Sequence, residues 1–266
     1  MSDFFKSDYG DATKPDLLSK LSAGWLDAAY DRSLTASLGE ARRRFLAEPR
    51  DILVAGVEVP SRPRDIHEVV EALQQTRHRV SVSIVPMGRR SKFDNVNAAI
   101  AGAEKPLQTF DWIIVADDDV SLPTSFLDDF ILLAEAARLD VAQPAHRCAS
   151  HMSYRLTKRR ARSLVRTSRF VEIGPLTAFS RRTYDDLIPF PHLRWCYGLD
   201  VLWAQLAETR GWRLGIVDGA PLAHLRPIAA SYDAGEAIAE AEGFFRHFGV
   251  TVSRRELLSG DEVALR

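Results

Sequence analysis

The chain has 266 residues, 46% of them hydrophobic and 27% charged, which is enough for one large α/β domain or two small ones. Its formal net charge of -1 gives no global reason to expect nucleic acid or a membrane surface as a partner. Two cysteines, Cys148 and Cys196, suggest neither a disulfide framework nor a zinc site; with no apolar run near the roughly 20 residues of a bilayer span and no secretory pattern at the start, a cytoplasmic protein is expected.

Residues 1–14 are polar. Across 15–48, Leu17, Leu18, Leu21 and Leu26, then Leu38, Ala41 and Phe45, recur at helical spacing and predict one or two helices, with Pro15 near the start. At Asp51 the texture changes. Ile52 to Val57 is short, apolar and β-branched, as a buried parallel strand should be. A helix is predicted over 64–77, a strand from Val80 to Val85, a helix over 93–103 and a strand from Asp111 to Ala116. A helix over 123–138 and a strand from Val141 to Pro144 follow. This alternation indicates βαβ units, in which ligands bind beyond the carboxyl ends of the strands. Later come predicted strands at Phe170 to Ile173 and Leu176 to Ser180, a helix at Leu199 to Arg210, a strand at Arg213 to Val217 and a helix over 231–248.

Asp117-Asp118-Asp119 directly follows the third strand. Neighbouring carboxylates repel unless they are solvated, paired with cations or gathered around a metal, and hard oxygen ligands suit Mg²⁺ or Mn²⁺. Such a cluster can also favour the positive end of a following helix, but Ser121 to Ser125 already supply capping residues there. Upstream, Gly88 to Asn97 carries Arg89, Arg90 and Lys92 into a helix start, where cations and unpaired N–H groups can meet a diphosphate.

The stretch Phe110 to Pro123 resembles the DxD segment of GT-A glycosyltransferases, especially the family 2 group. The resemblance spans about 51–230. It implies an α/β fold of GT-A (Rossmann-like) type, a mostly parallel central sheet flanked by helices, with an N-terminal helical extension at 1–50. The catalytic domain would comprise a donor half at 51–145 and an acceptor half at 146–230, followed by a helical tail at 231–266. By the same resemblance Asp117 contacts the donor ribose or the metal, Asp118 lies on the donor side, and Asp119 holds Mn²⁺ or Mg²⁺. Lys92 and Asn97 match the family's Gly-Lys…Asn segment bordering the nucleotide, with Arg89 nearby, and Glu58 matches its first loop. Asp200, before a helix and after the aromatic-glycine loop Trp195 to Gly198, matches the catalytic base, although the usual Glu-Asp pair reads Leu199-Asp200 here. His224 matches a late histidine ligand, with Asp218 as an alternative and Arg226 near the diphosphate. Glu172 lies on the matching acceptor-side strand. Trp195 and Tyr197 can stack on a sugar or pack the core.

The activity implied is transfer of a sugar from a nucleotide-diphosphate sugar to a glycan or lipid-linked acceptor, with inversion. A UDP-sugar is expected over a GDP-sugar, although the aspartate that often ends the second strand to read uracil is missing. The basic run from Arg155 to Arg169 reads as a solvated helix face or as contact with an anionic acceptor or the inner membrane surface; nucleic acid is not expected. Residues 15–48 pack on the core or support self-association. The competing functions are a sugar-phosphate nucleotidyltransferase, which Val57 to Arg64 disfavours for want of a glycine-rich loop, and a non-enzymatic basic-patch binding module.

Overall fold

The computed structural model describes residues 17–45, 48–88, 90–226 and 234–266. In chain order they form α1 (Leu17–Arg44), β1 (Asp51–Glu58), α2 (Pro63–Gln74), β2 (Arg79–Pro86), α3 (Lys92–Ala101), β3 (Trp112–Ala116), β4 (Val120–Ser121), α4 (Phe126–Ala136) and β5 (Val141–His146). Then follow β6 (Val165–Ser168), β7 (Leu176–Ser180), α5 (Tyr184–Leu187), α6 (Leu199–Arg210), β8 (Leu214–His224), α7 (Ala234–Phe248), α8 (Arg254–Leu257) and β9 (Glu262–Leu265).

The strands make one sheet in the order β2-β1-β3-β7-β5-β8-β6-β9, with β4 paired to β8 off this path. Strands β2, β1, β3, β5, β8 and β9 run one way, and β7 and β6 run against them. Because side chains alternate along a strand, β1 and β3 feed two cores at once. Leu53, Ala55, Ile113 and Val115 join Phe93 of α3 and Trp203 of α6 on one face. Ile52, Val54 and Ile114 join Val69 of α2 and Phe130 of α4 on the other. A sheet covered on both faces leaves only its strand ends free for chemistry. The carboxyl ends of β1, β3 and β8 lie together, so Glu58, Asp117 to Asp119 and His224 share one edge.

Three expectations are corrected. Residues Phe170 to Ile173 are not a strand. Their backbone is satisfied by side chains, with the Phe170 N–H donating to Ser168 Oγ and the Glu172 N–H donating to Gln143 Oε1, which replaces a strand ladder. The C-terminal segment is not wholly helical, since β9 pairs with β6 and closes that side of the sheet. The basic run is not a helix, and two of its cations are buried while Arg155, Lys158, Arg160, Arg162 and Arg169 stay exposed. Its Arg159 is buried on Asp27 and Asp31 of α1 at 2.9 and 2.7 Å. Its Arg166, on β6, is fully buried against Asp218 at 2.8 Å and Asp261 at 2.7 Å. These pairs take Arg159 and Arg166 out of any contact with an anionic surface.

The single helix α1 is tied to the domain by the same chemistry. Asp27 also accepts the Cys148 N–H at 3.1 Å, and Arg42 forks onto Asp129 of α4 at 2.7 Å. Among the described residues no helix is long and apolar enough to cross a membrane.

Removing one partner of a buried charge network strands the other. Arg166→Met should therefore lower unfolding free energy by about 3–5 kcal/mol in a denaturant titration. An unchanged midpoint would mean that Asp218 and Asp261 find other partners.

Candidate active site

Asp117 leaves β3 with its N–H donated to Pro175 O at 2.8 Å. Its carboxylate meets Lys92 Nζ at 2.6 Å. Lys92 is the first residue of α3, whose start is fixed by a capping box between Ser91 and Asp94. Burial alone would lower the Lys92 pKa, but Asp117 reverses this and raises it. The pair sits against Gly174, where an added Cβ would stand 3.0 Å from Asp117 Oδ2 and 3.3 Å from Lys92 Nζ. A side chain at that place would crowd the salt bridge and oblige it to shift by a few tenths of an ångström.

Asp119 faces the end of β8. The short antiparallel pairing sets Val120 opposite His224, and Leu225 N–H donates to Asp119 O at 2.9 Å. His224 Nε2 then lies 3.2 Å from Asp119 Oδ2. Its Nδ1 lies 3.1 Å from the carbonyl oxygen of His151, which can only accept, so Nδ1 carries the hydrogen. The Nε2 lone pair would otherwise point at a carboxylate, so that gap calls for a proton or a cation. Without a cation the proton is held: burial lowers the His224 pKa, the Asp119 bond outweighs it, and the net direction is upward. Asp119 shifts down for the same reason, against its own burial.

Asp118 points elsewhere. It lies 3.3 Å from Arg62 and 3.4 Å from Arg226, which also grips Asp65 of α2. Asp118 is thus held between two arginines, and Arg226 is shared between Asp118 and Asp65. Burial, acting against the pull of Arg62, raises the Asp118 pKa. Among the described residues no three His, Cys, Asp or Glu side chains form a ready-made metal site. Asp119 and His224 are the pair brought together, while Asp117 is drawn to Lys92.

Asp200 lies in the first turn of α6, as its place in the sequence predicted. It is only 2% exposed, and its Oδ1 accepts the Val201 N–H at 2.9 Å. Burial first, then the charge of Glu172, push its pKa up to about 7, against backbone hydrogen bonds from Val201 and Ile173. A carboxyl poised near neutrality can take and release a proton at working pH.

The remaining sequence candidates divide. Glu58 closes β1 and pairs with His67 at 3.0 Å on the shared edge. Arg89 lies outside the described residues. Asn97 is corrected: both ends of its amide bond the Phe190 backbone at 2.8 Å, pinning a loop. Tyr197 is buried against Ala237 and Ala241 of α7, so it packs the fold; Trp195 lies beside that cluster, half-buried under Arg194. Glu172 is buried and bonded to Ser153 N and Thr157 Oγ1 at 3.1 and 3.3 Å, which corrects a direct acceptor contact. Asp218 is consumed by Arg166.

Two groups escaped sequence reasoning. His146, fully buried, ends β5 with Nε2 3.6 Å from Glu172 Oε2 and its ring 6.1 Å from that of His224. The signal was available, because a histidine closes a fully buried strand at its carboxyl end, but the predicted strand stopped at Pro144. Gly174 could be read only as a chain break.

No family model and no curated protein matches the sequence. Among solved structures the chain is similar to S. aureus TarS 1-349 in complex with UDP-GlcNAc, at TM-score 0.51 and 12% identity, covering 77% of this chain and 68% of that one. The likeness shows a GT-A-type fold.

Asp200→Asn tests the buried carboxyl. Its folded pKa near 7 lies above the unfolded value of 3.8, so folding stability falls as pH rises between these values and levels off above. The variant should gain several °C in Tm over the native chain at pH 8 and little at pH 4. A pH-independent difference would mean that Asp200 ionises freely.

Proposed function

We propose that the chain is a glycosyltransferase that moves a sugar from a nucleotide-diphosphate sugar to an acceptor hydroxyl, with Mn²⁺ or Mg²⁺ at the tip of β3. The observation that carries this reading is the Asp119–His224 pair at 3.2 Å, beside the Lys92–Asp117 pair at the free edge of a GT-A-type sheet. The UDP-GlcNAc bound to TarS favours a UDP-sugar as donor.

Each group has a physical task. Asp119 and His224 would hold the cation as one oxygen and one nitrogen ligand, a mixture suited to Mn²⁺. A divalent cation bound there would offset the charge that develops on the departing diphosphate. Lys92 brings a positive charge to the same edge, and Asp117 orients it while offering a carboxylate oxygen to a ribose hydroxyl. Glu58, at the end of β1, faces the nucleoside side. Asp200 removes the acceptor proton as the hydroxyl attacks the anomeric carbon in line, which inverts that centre. The acceptor is a glycan or a lipid-linked sugar, approached from the half of the chain that carries Asp200.

Calorimetric titration with UDP and with GDP, each with and without Mn²⁺, tests the reading. UDP should bind more tightly with Mn²⁺, and Asp119→Ala or His224→Ala should weaken that cation-dependent component by at least about tenfold. Because the proton on His224 must leave for the cation to enter, and its pKa is raised, the cation effect should grow as pH rises past the ordinary histidine range. Equal binding with and without Mn²⁺ would refute the cation site, and preference for UTP over UDP would point to nucleotidyl transfer.

A further inference from the structure

Strand β2 is the outermost strand of the sheet, with β1 on one side and no strand on the other among the described residues. The Arg79 N–H donates to Arg50 O at 2.9 Å, and the Met87 N–H donates to Glu58 O at 2.7 Å, so both point inward. The direction of these groups alternates along a strand. Ser81, Ser83 and Val85 therefore face β1, whereas the N–H and C=O groups of Val80, Val82 and Ile84 point outward. Among the described residues no group bonds those three from outside.

An open edge of this kind is a template for pairing, and edges are commonly blunted by charges, proline or a bulge. Between Arg79 and Pro86, β2 reads Val-Ser-Val-Ser-Ile-Val and follows β1 without a register shift. Arg79 does not guard the edge, because its guanidinium turns back onto Asp51 of β1 at 2.7 Å. No residue of β2 is buried, although four are β-branched and apolar, and Val82 at its centre is 36% exposed.

We propose that two copies of this chain pair through β2, antiparallel and with the two-fold axis at Val82, joining their sheets into one. The register follows from the free groups. Val82 faces Val82 of the second copy and Val80 faces Ile84, so each outward residue exchanges both its hydrogen bonds with its opposite number. An axis at Ser83 sets Val80 against Pro86, which has no N–H to give. An axis at Ser81 sets Ile84 against His78, whose N–H is already spent on Thr76 Oγ1 at 3.2 Å. Val82 is the centre that loses nothing.

The side chains agree with that register. Val80 and Ile84 pack on the core beneath α2, and alternation puts Val82 on the same face. The pairing carries this apolar row across the axis, valine and isoleucine against isoleucine and valine. On the opposite face Ser81 meets Ser83 of the second copy, and the Ser83 hydroxyl donates to Ala99 O of α3 at 2.7 Å. The contact uses the same patch on both copies, so assembly closes at two. Because the strands run in opposite directions across the axis, the two edges that carry Lys92, Asp117 and His224 open at opposite ends and neither is covered. The pairing is independent of the transfer reaction.

Sedimentation equilibrium of the full chain at micromolar concentration, with amide hydrogen exchange followed by NMR, tests the proposal. The native chain should show twice its mass of 29.7 kDa. The amide hydrogens of Val80, Val82 and Ile84 should exchange more slowly as concentration rises. Val82→Lys puts two like charges on the axis while keeping every backbone group, and Val82→Pro removes an N–H that faces water in a single copy. Both variants should keep the native far-UV circular dichroism and sediment at the mass of one chain. Should the proline variant fail to fold, the lysine variant and exchange in the native chain still decide. A native chain at the mass of one copy overturns the proposal, as does protection of those three amides at every dilution, which would put a segment of the same chain on the edge. A dimer that survives both substitutions overturns it as well and moves the contact elsewhere.

Discussion

The pairing of Val120 with His224 is the contact on which the rest of the site depends. It joins the segment just past β3 to the end of β8, two places about a hundred residues apart in the chain, and so sets an aspartate oxygen against an imidazole nitrogen. Without it Asp119 would be one more solvated carboxylate in a loop. The two strands can meet because β8 is long and overshoots its partner β5, which ends at His146 opposite Leu222. The core on both sheet faces keeps that overshoot in place.

Three consecutive aspartates at one strand tip are tolerated because the fold gives each a different counter-group. Asp117 has Lys92, Asp118 has Arg62 and Arg226, and Asp119 has His224. The three partners differ in what they can release. Guanidinium groups stay charged at any working pH, so the Asp118 clamp is fixed and ties α2 to the end of β8. The lysine is a point charge on a flexible stem, able to turn toward a phosphate without losing its place. The histidine alone can give up its proton and accept a metal. In the proposed function the tasks divide accordingly, with structure at the middle residue and exchange at the outer two.

Much of this was legible in the sequence because the donor half is built from local signals. Strands β1, β2, β3 and β5 are short apolar runs between amphipathic helices, and each lies within two or three residues of its predicted limits. The placement of Asp119, His224 and Asp200 at element ends was visible because each stands at a boundary between a predicted element and a loop. What stayed hidden depends on partners distant in the chain. Nothing near Arg166 announces that Asp218 and Asp261 will neutralise it, so this buried cation read like its exposed neighbours. Phe170 to Ile173 is apolar because it is buried, and burial without a ladder gives the composition of a strand without its hydrogen bonds. Asn97 matched a motif but spends its amide on Phe190, a use that only the closed loop reveals.

The central claim is that a divalent cation sits between Asp119 and His224. Anomalous diffraction from crystals soaked in UDP and Mn²⁺, collected at the manganese absorption edge, addresses it directly. The account predicts one strong peak coordinated by Asp119 Oδ2, His224 Nε2 and the diphosphate oxygens. A bound nucleotide with no peak there, or a peak coordinated by neither residue, would contradict it.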